Sequence, residues 1–573
     1  MKKTKQLLVM LLLSASSLAL AGCLKNQPES TLIDETVAAE SLADSVYING
    51  AVYTVNTAQP SAQAIAVQGN KIVFVGTTEH VNQYIGKNTQ VVDLQGRTLM
   101  PGFHDVHIHP LESASASTQF TLDEQQSDPE YFIADIANAS ANFANTPWLI
   151  GYGHTINTIL NTTRSPLDIL DEAESNRPVI IMEQTSHSMW VNSKALQLAQ
   201  LNDDSADPIG GVLGRDQLGH LNGVLYDNAG NLVMQQALAA LGNSAQNEYL
   251  GLVEYTLPEF AKYGITSISD ARSYWQRDQQ KVWLRAEQEH KLTVRANLGL
   301  WAYPELSDEK QLKQLAALYQ NDPTKLVKIN QIKLYSDGIL TNTTAAMHEP
   351  YQIDLLGLYG NKGLNYFSQE RIAKYIKALE PIGFDFHMHG IGDRAISEAL
   401  NAVEMASKGL ARHRITHVEV VDPEDYKRFL TLNVTADAQV AGEFTNPEYW
   451  SENSELIGDE RSDHLVPIKS LSDAGARLTL SSDWSVSHFN PFLGLHNALN
   501  RAPEAITLDQ AIRAYTINGA YTMRQEQLVG SIEVGKLADF VVLDRDIRTT
   551  PISQIKQTKI DITVFDGEVI YQR

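Results

Sequence analysis

Between Ser45 and Met100 short apolar runs alternate with turn residues, in SVYINGAVYTV, AQAIAVQGNKIVFVG and QVVDLQGRTLM. A period of two marks half-buried strands, and Asn49-Gly50 and Gly69-Asn70 between the runs read as hairpin turns. The far end repeats this texture: ADFVVLDRD and DITVFDGEVIYQR predict strands, with a turn at Asp566-Gly567. Two β-rich ends around a different middle predict one small β-sandwich assembled from residues 45–100 and 521–573.

The middle, residues 101–520, alternates strand and helix patterns. Eight strand candidates stand out: TLMPGFHDVHIH, ITSISDA, LTVRANLGL, INQIKLYSDG, FDFHMHG, RITHVEV, NVTADAQ and RLTLSSD. Helical stretches such as QRDQQKVWLRAEQEH and RAISEALNAVEMASKG separate most of them. This order predicts an α/β fold, a (β/α)₈ TIM-type barrel with functional residues at the C-terminal strand ends. The gap after the first strand, about 111–263, is too long for a loop, and PVIIMEQ and WLIGYG within it predict an ordered insertion over the barrel mouth.

The N-terminus changes the picture of where the chain goes. A basic Met1–Lys5, an apolar Leu7–Leu20 and then Leu20-Ala21-Gly22-Cys23 read as a secretory signal over residues 1–22. The site resembles the lipobox of bacterial lipoproteins, which implies a lipid on Cys23 and a periplasm-facing anchor, in the outer membrane since Leu24 is not aspartate. Residues 23–44 then read as a tether. Cys23 is the only cysteine, so no internal disulfide is expected. The formal net charge of −23 argues against nucleic acid as a partner, because phosphate binding needs a basic face.

Candidate chemistry collects at the ends of the predicted strands. In PGFHDVHIHP, His107 and His109 are two apart and share a side of the strand, as does Asp105. Paired imidazoles suit zinc or another borderline divalent metal. Lys333 lies on strand four, His389 ends strand five, His417 is on strand six and Asp483 ends strand eight. Taken singly, each has a structural explanation: a helix cap for His389 or Asp483, a core position for His417, an ion pair with Asp337 for Lys333. Together, at one end of one barrel, they point to one metal centre.

This pattern resembles the amidohydrolase superfamily, and within it the amidohydrolase-3 group of YtcJ-like proteins and N-substituted formamide deformylases. The resemblance rests on PGFHDVHIHP, SHSMWVNSKAL, IKLYSDG, HGIGDRA, RITHVEV, SSDWSV and VGSIEVGKLADFVVLD. It implies one or two divalent ions, zinc foremost: His107, His109 and Asp483 hold one and His389 and His417 the other. Lys333 matches a lysine whose carboxylated amine bridges the ions in related enzymes. The resemblance also implies that Asp483 takes a proton from the attacking water and passes it to the leaving nitrogen, and that His187 contacts the substrate oxygen. His154 stands where relatives more often have Trp. His387 reads as a packing residue deeper in the barrel, Asp393-Arg394 as fixing the loop after strand five, and Asp105 as a residue supporting the ligands.

The function expected is hydrolysis of a C–N bond in a small amide, formamide, carbamate or cyclic amide. The same site elsewhere in the superfamily cleaves esters, lactones or phosphotriesters, and a catalytically inactive binding lipoprotein is a third reading. A small-molecule substrate is the expected partner, and a homodimer is one arrangement the sequence allows.

Overall fold

A computed structural model describes residues 42–114, 119–123, 125–358, 360–442, 446–447 and 450–573. The signal, Cys23 and nearly all of the tether lie outside them. Among the described residues no helix is long and apolar enough to cross a membrane.

Eight parallel strands form the barrel: β1 (Phe103–Ile108), β2 (Ile265–Ser273), β3 (Arg295–Trp301), β4 (Val327–Tyr335), β5 (Asp385–Gly390), β6 (Arg414–His417), β7 (Thr435–Gln439) and β8 (Arg477–Ser481). They neighbour one another in chain order. Every one of the eight expected strands contributes. β1 to β7 are buried throughout, as strands covered on both faces must be. Register fixes which side chains share a level: Lys333 pairs with His387, and His389 with Thr416. At the seam between β8 and β1, Asp483 N–H donates to His107 C=O at 2.8 Å and His109 N–H to Trp484 C=O at 2.9 Å. The closure of the barrel therefore coincides with three of the predicted ligands.

Crossover helices cover the strands. The helix Gln369–Leu379 starts where the Ser368 side chain accepts the Arg371 N–H, and buries Ile372, Tyr375, Ile376 and Leu379 on one face. Each such side chain contributes roughly 1.5–3 kcal/mol on burial. Asp393–Ala406 follows β5 in the same way.

Two features differ from the sequence reading. TLMPGFHDVHIH is two strands: Thr98–Pro101 joins a sheet outside the barrel and Phe103–Ile108 enters the barrel. The break is at Gly102, where a Cβ would lie 2.2 Å from the Thr266 hydroxyl. Asn49-Gly50 is not a hairpin turn. Ser45–Ile48 pairs with Ala64–Gln68, whereas Ala51–Tyr53 pairs with Thr98–Pro101 in another sheet, so the chain turns a corner between sheets there. Asn49 adopts φ +55°. A turn signal reports that left-handed backbone, not which strands will pair. Gly69-Asn70 and Asp566-Gly567 do close antiparallel hairpins.

Phe540–Leu543 lies antiparallel to Thr98–Pro101, so the two ends of the chain share one sheet. That sheet packs on the sheet of Ser45–Ile48 through Tyr47, Ile65, Leu99, Phe540 and Val564. After β1 a mixed six-stranded sheet includes Leu149–Tyr152 and Val179–Met182, paired in parallel.

Candidate metal centre and substrate cavity

His107 is on β1 and His109 is one residue past its end. Both turn Nε2 toward Asp483 Oδ1, at 3.1 and 3.0 Å. Asp483 follows β8 at φ +56°, and His417 ends β6 at φ +79° with Val418 at +44°. Left-handed backbone is costly for non-glycine residues and collects where function over-determines geometry. His417 Nδ1 lies 3.9 Å from Asp483 Oδ2, and ligating atoms of His107, His417 and Asp483 all fall within 4.8 Å of one another.

His389 sits beside His417, with ring centroids 4.3 Å apart. Its Nε2 donates to Gly338 C=O at 3.1 Å, which leaves the lone pair on buried Nδ1 with no hydrogen-bond partner. A backbone carbonyl on one ring nitrogen commonly fixes the other for metal. Lys333, fully buried, also has no partner at Nζ. It does not pair with Asp337, whose carboxylate accepts N–H groups of Ala346, Ile391 and Gly392 at 2.8–3.1 Å. These orphaned atoms, beside imidazoles and a carboxylate, fit a divalent ion.

His387 does more than fill the barrel. Its Nε2 lies 2.8 Å from His107 Nδ1, and its Nδ1 accepts from Arg414 at 2.7 Å. The Thr416 hydroxyl is 3.0 Å from the same His107 nitrogen and donates to Asp437, which also accepts from Thr479, Ser481 and Gln439. The barrel interior under the rim is thus a polar layer that orients His107. Asp105 accepts the Ser482 N–H at 3.2 Å and so ties the segment carrying Asp483 to β1.

The insertion supplies His187. Its Nδ1 meets Asp227 Oδ1 at 2.7 Å, and Tyr366 donates to the same oxygen at 3.1 Å. The ring stacks on Tyr335, which in turn stacks on His389. His154 is buried behind the cavity wall, edge-on to Trp190 at 6.0 Å, and burial lowers its pKa to about 4. Asp393 accepts the N–H groups of His348 and Arg394, joining the loop after β4 to the helix after β5. Sequence reasoning missed Asp227, Thr416, Asp437 and Arg414. It also missed Arg272 and Glu112, paired at 2.9 Å, with Glu112 3.5 Å from His109 Nδ1.

Burial holds His107, His387, His389 and His417 well below the ordinary histidine range, so the rings are neutral, the form that binds metal. Burial likewise pushes the Lys333 amine well down. For Asp483 burial acts upward, but the imidazoles of His107 and His109 outweigh it and keep the carboxyl ionised. His187, His389, His417 and Asp483 all line a cavity of about 710 Å³.

A parallel barrel with its titratable side chains gathered at the C-terminal rim, under an inserted cap, is the architecture of a TIM-barrel enzyme. Residues 90–571 match the model of the amidohydrolase family, and the chain belongs to that family. It is 26% identical over 543 residues to Protein LONG AFTER FAR-RED 3 of Arabidopsis thaliana, covering 90% of this chain and 89% of that one. It is 25% identical over 556 residues to N-substituted formamide deformylase of Arthrobacter pascens, covering 93% and 99%. An uncharacterized metal-dependent hydrolase from Pyrococcus horikoshii OT3 shares the fold, with a TM-score of 0.68 at 21% identity, covering 89% of this chain and 99% of that one.

Proposed function

We propose that the protein is a metal-dependent hydrolase that cleaves a non-peptide C–N bond in a small amide or formamide. The observation that carries this reading is the convergence of His107, His109, His389, His417, Asp483 and the partnerless Lys333 amine on one rim. The formamide deformylase named among the relatives supports the choice of bond.

His107, His109 and Asp483 would hold one ion and His389 and His417 a second, zinc by ligand type. Lys333, buried and with no hydrogen-bond partner at Nζ, would suit addition of carbon dioxide with loss of a proton, giving a carbamate that would add a negatively charged ligand to the site. When bound, such ions supply Lewis-acid polarisation of a carbonyl and a lower pKa for water. Asp483 Oδ1 faces the Nε2 atoms of His107 and His109, and Oδ2 lies on the side of His417, so Oδ2 is the oxygen placed to take the proton of the attacking water. The same oxygen returns it to the leaving nitrogen. His187, held at Nδ1 by Asp227, lines the cavity and is placed to contact the carbonyl oxygen of the substrate.

The test is turnover of N-hexylformamide against hexyl formate by the zinc-loaded chain. Amide hydrolysis should be abolished by chelation, and Asp483→Asn should lower kcat by about 10²–10⁴ with a much smaller change in KM. Hydrolysis of the ester alone would refute the C–N assignment.

A further inference from the structure

The cavity that opens from the rim is uneven in charge. Its walls include many aliphatic side chains, Ile156, Ile339, Ile391 and Val466 among them, yet Glu183 and Glu419 line it as well, besides Asp483. Glu455, exposed, lines it too. Among the described residues that line it there is no lysine or arginine. Glu183 is 2% exposed, its carboxylate held by the N–H and hydroxyl of Thr185. Glu419 comes from the segment just after His417, and no cation answers it: its backbone C=O accepts from Val466, and its carboxylate makes no ion pair among the described residues. Some deeply buried acids of this protein have arginine partners, as Asp539 has Arg295 and Glu248 has Arg277, and others are held by N–H and hydroxyl groups, as Glu183 is.

A desolvated carboxylate is expensive unless something pairs with it. Among the described residues neither acid has a lysine or arginine partner, and the space beside them is the space a substrate would enter. We propose that the cavity selects substrates carrying a positive charge on an apolar body, with Glu419 and Glu183 receiving the cationic group while the scissile bond reaches Asp483. Anionic substrates are disfavoured by the same acids, since no arginine or lysine among the described lining residues is there to take a carboxylate. The strongly acidic chain, with a formal net charge of −23, would favour the approach of cations in the same direction. The proposal rests on reading the rim as a site of amide hydrolysis, and it names the class of molecule that site takes.

The test uses binding, so it does not depend on turnover. Hexyltrimethylammonium, which cannot coordinate a metal, is titrated calorimetrically at pH 8, where Glu183 is ionised, into the full chain beside hexanol and hexanesulfonate. The cation is expected to bind at least tenfold more tightly than the alcohol, and the sulfonate not measurably. Glu419→Gln and Glu183→Gln, made separately, should each reduce the cation's advantage by threefold or more. Equal or tighter binding of the sulfonate, no measurable binding of the cation at millimolar concentration, or an undiminished preference in both variants would overturn the proposal. The wild-type comparison stands even where a variant fails to fold. A second arm compares hydrolysis of the formamides of hexylamine, of 1,6-diaminohexane and of 6-aminohexanoic acid. If none is hydrolysed but the cation binds selectively, the hydrolase reading fails and the charge selectivity stands. If all three are hydrolysed alike, the hydrolase reading stands and the selectivity fails.

Discussion

Glu183 shows what a single residue at this cavity does to the stability of the chain. Burial raises its pKa from 4.5 to about 7. The folded protein therefore keeps that proton at pH values where the unfolded chain has lost it, and stability falls as pH rises from about 4.5 to about 7. The full shift corresponds to at most about 3 kcal/mol. Glu183→Gln should raise the unfolding free energy by roughly 1–3 kcal/mol at pH 8 and make almost no difference near pH 4, read by urea denaturation. A gap that is the same at both pH values would assign the effect to packing instead. At this scale the sequence was informative where a residue type has one strong chemical preference. His107, His109, His389, His417 and Asp483 could be picked out because imidazoles and acids at strand ends are few. Asp227 could not: it lies in the insertion at φ +53°, and nothing in its local sequence points to His187 forty residues before it. His387 was visible but read as packing, because its bonds to His107 and Arg414 depend on register between strands.

At the scale of elements, periodicity located all eight barrel strands, since each is a short buried run between helical patterns. What it could not do was divide one strand-like run between two sheets. From Leu99 to Phe103 no polar residue marks the boundary, and the division falls at Gly102, where only the absence of a side chain lets β1 approach Thr266 on β2. Gly102→Ala should destabilise the protein by about 1–3 kcal/mol, the usual range for overpacking. Adding Thr266→Ala, which removes the two nearest atoms, should recover part of that loss in chemical denaturation. Additive losses in the double variant would mean that the contact is not what excludes a side chain there. Asn49-Gly50 teaches the same lesson from the other side: the local signal for a turn was correct, and the partner strand was decided by pairings that involve residues 64–68 and 98–101.

At the scale of the whole molecule, the chain brings His107 and Asp483 together by closing a barrel, and it holds its two ends together by pairing Phe540–Leu543 with Thr98–Pro101. The seam hydrogen bonds that join β8 to β1 are made by His107, His109 and Asp483 themselves, so closure and site formation are one event. Binding of an ion at this seam should stabilise the folded state by an amount that grows with the logarithm of the ion concentration over its Kd. The most direct measurement is the metal content of the purified full chain, by elemental analysis after exhaustive dialysis, for wild type and for the His107→Ala, His109→Ala double variant. One or two equivalents of a divalent ion in the wild type, and less than about a tenth of that in the folded variant, is the predicted result. Equal metal in the two proteins, or none in the wild type after reconstitution with zinc, would contradict a metal centre at this rim.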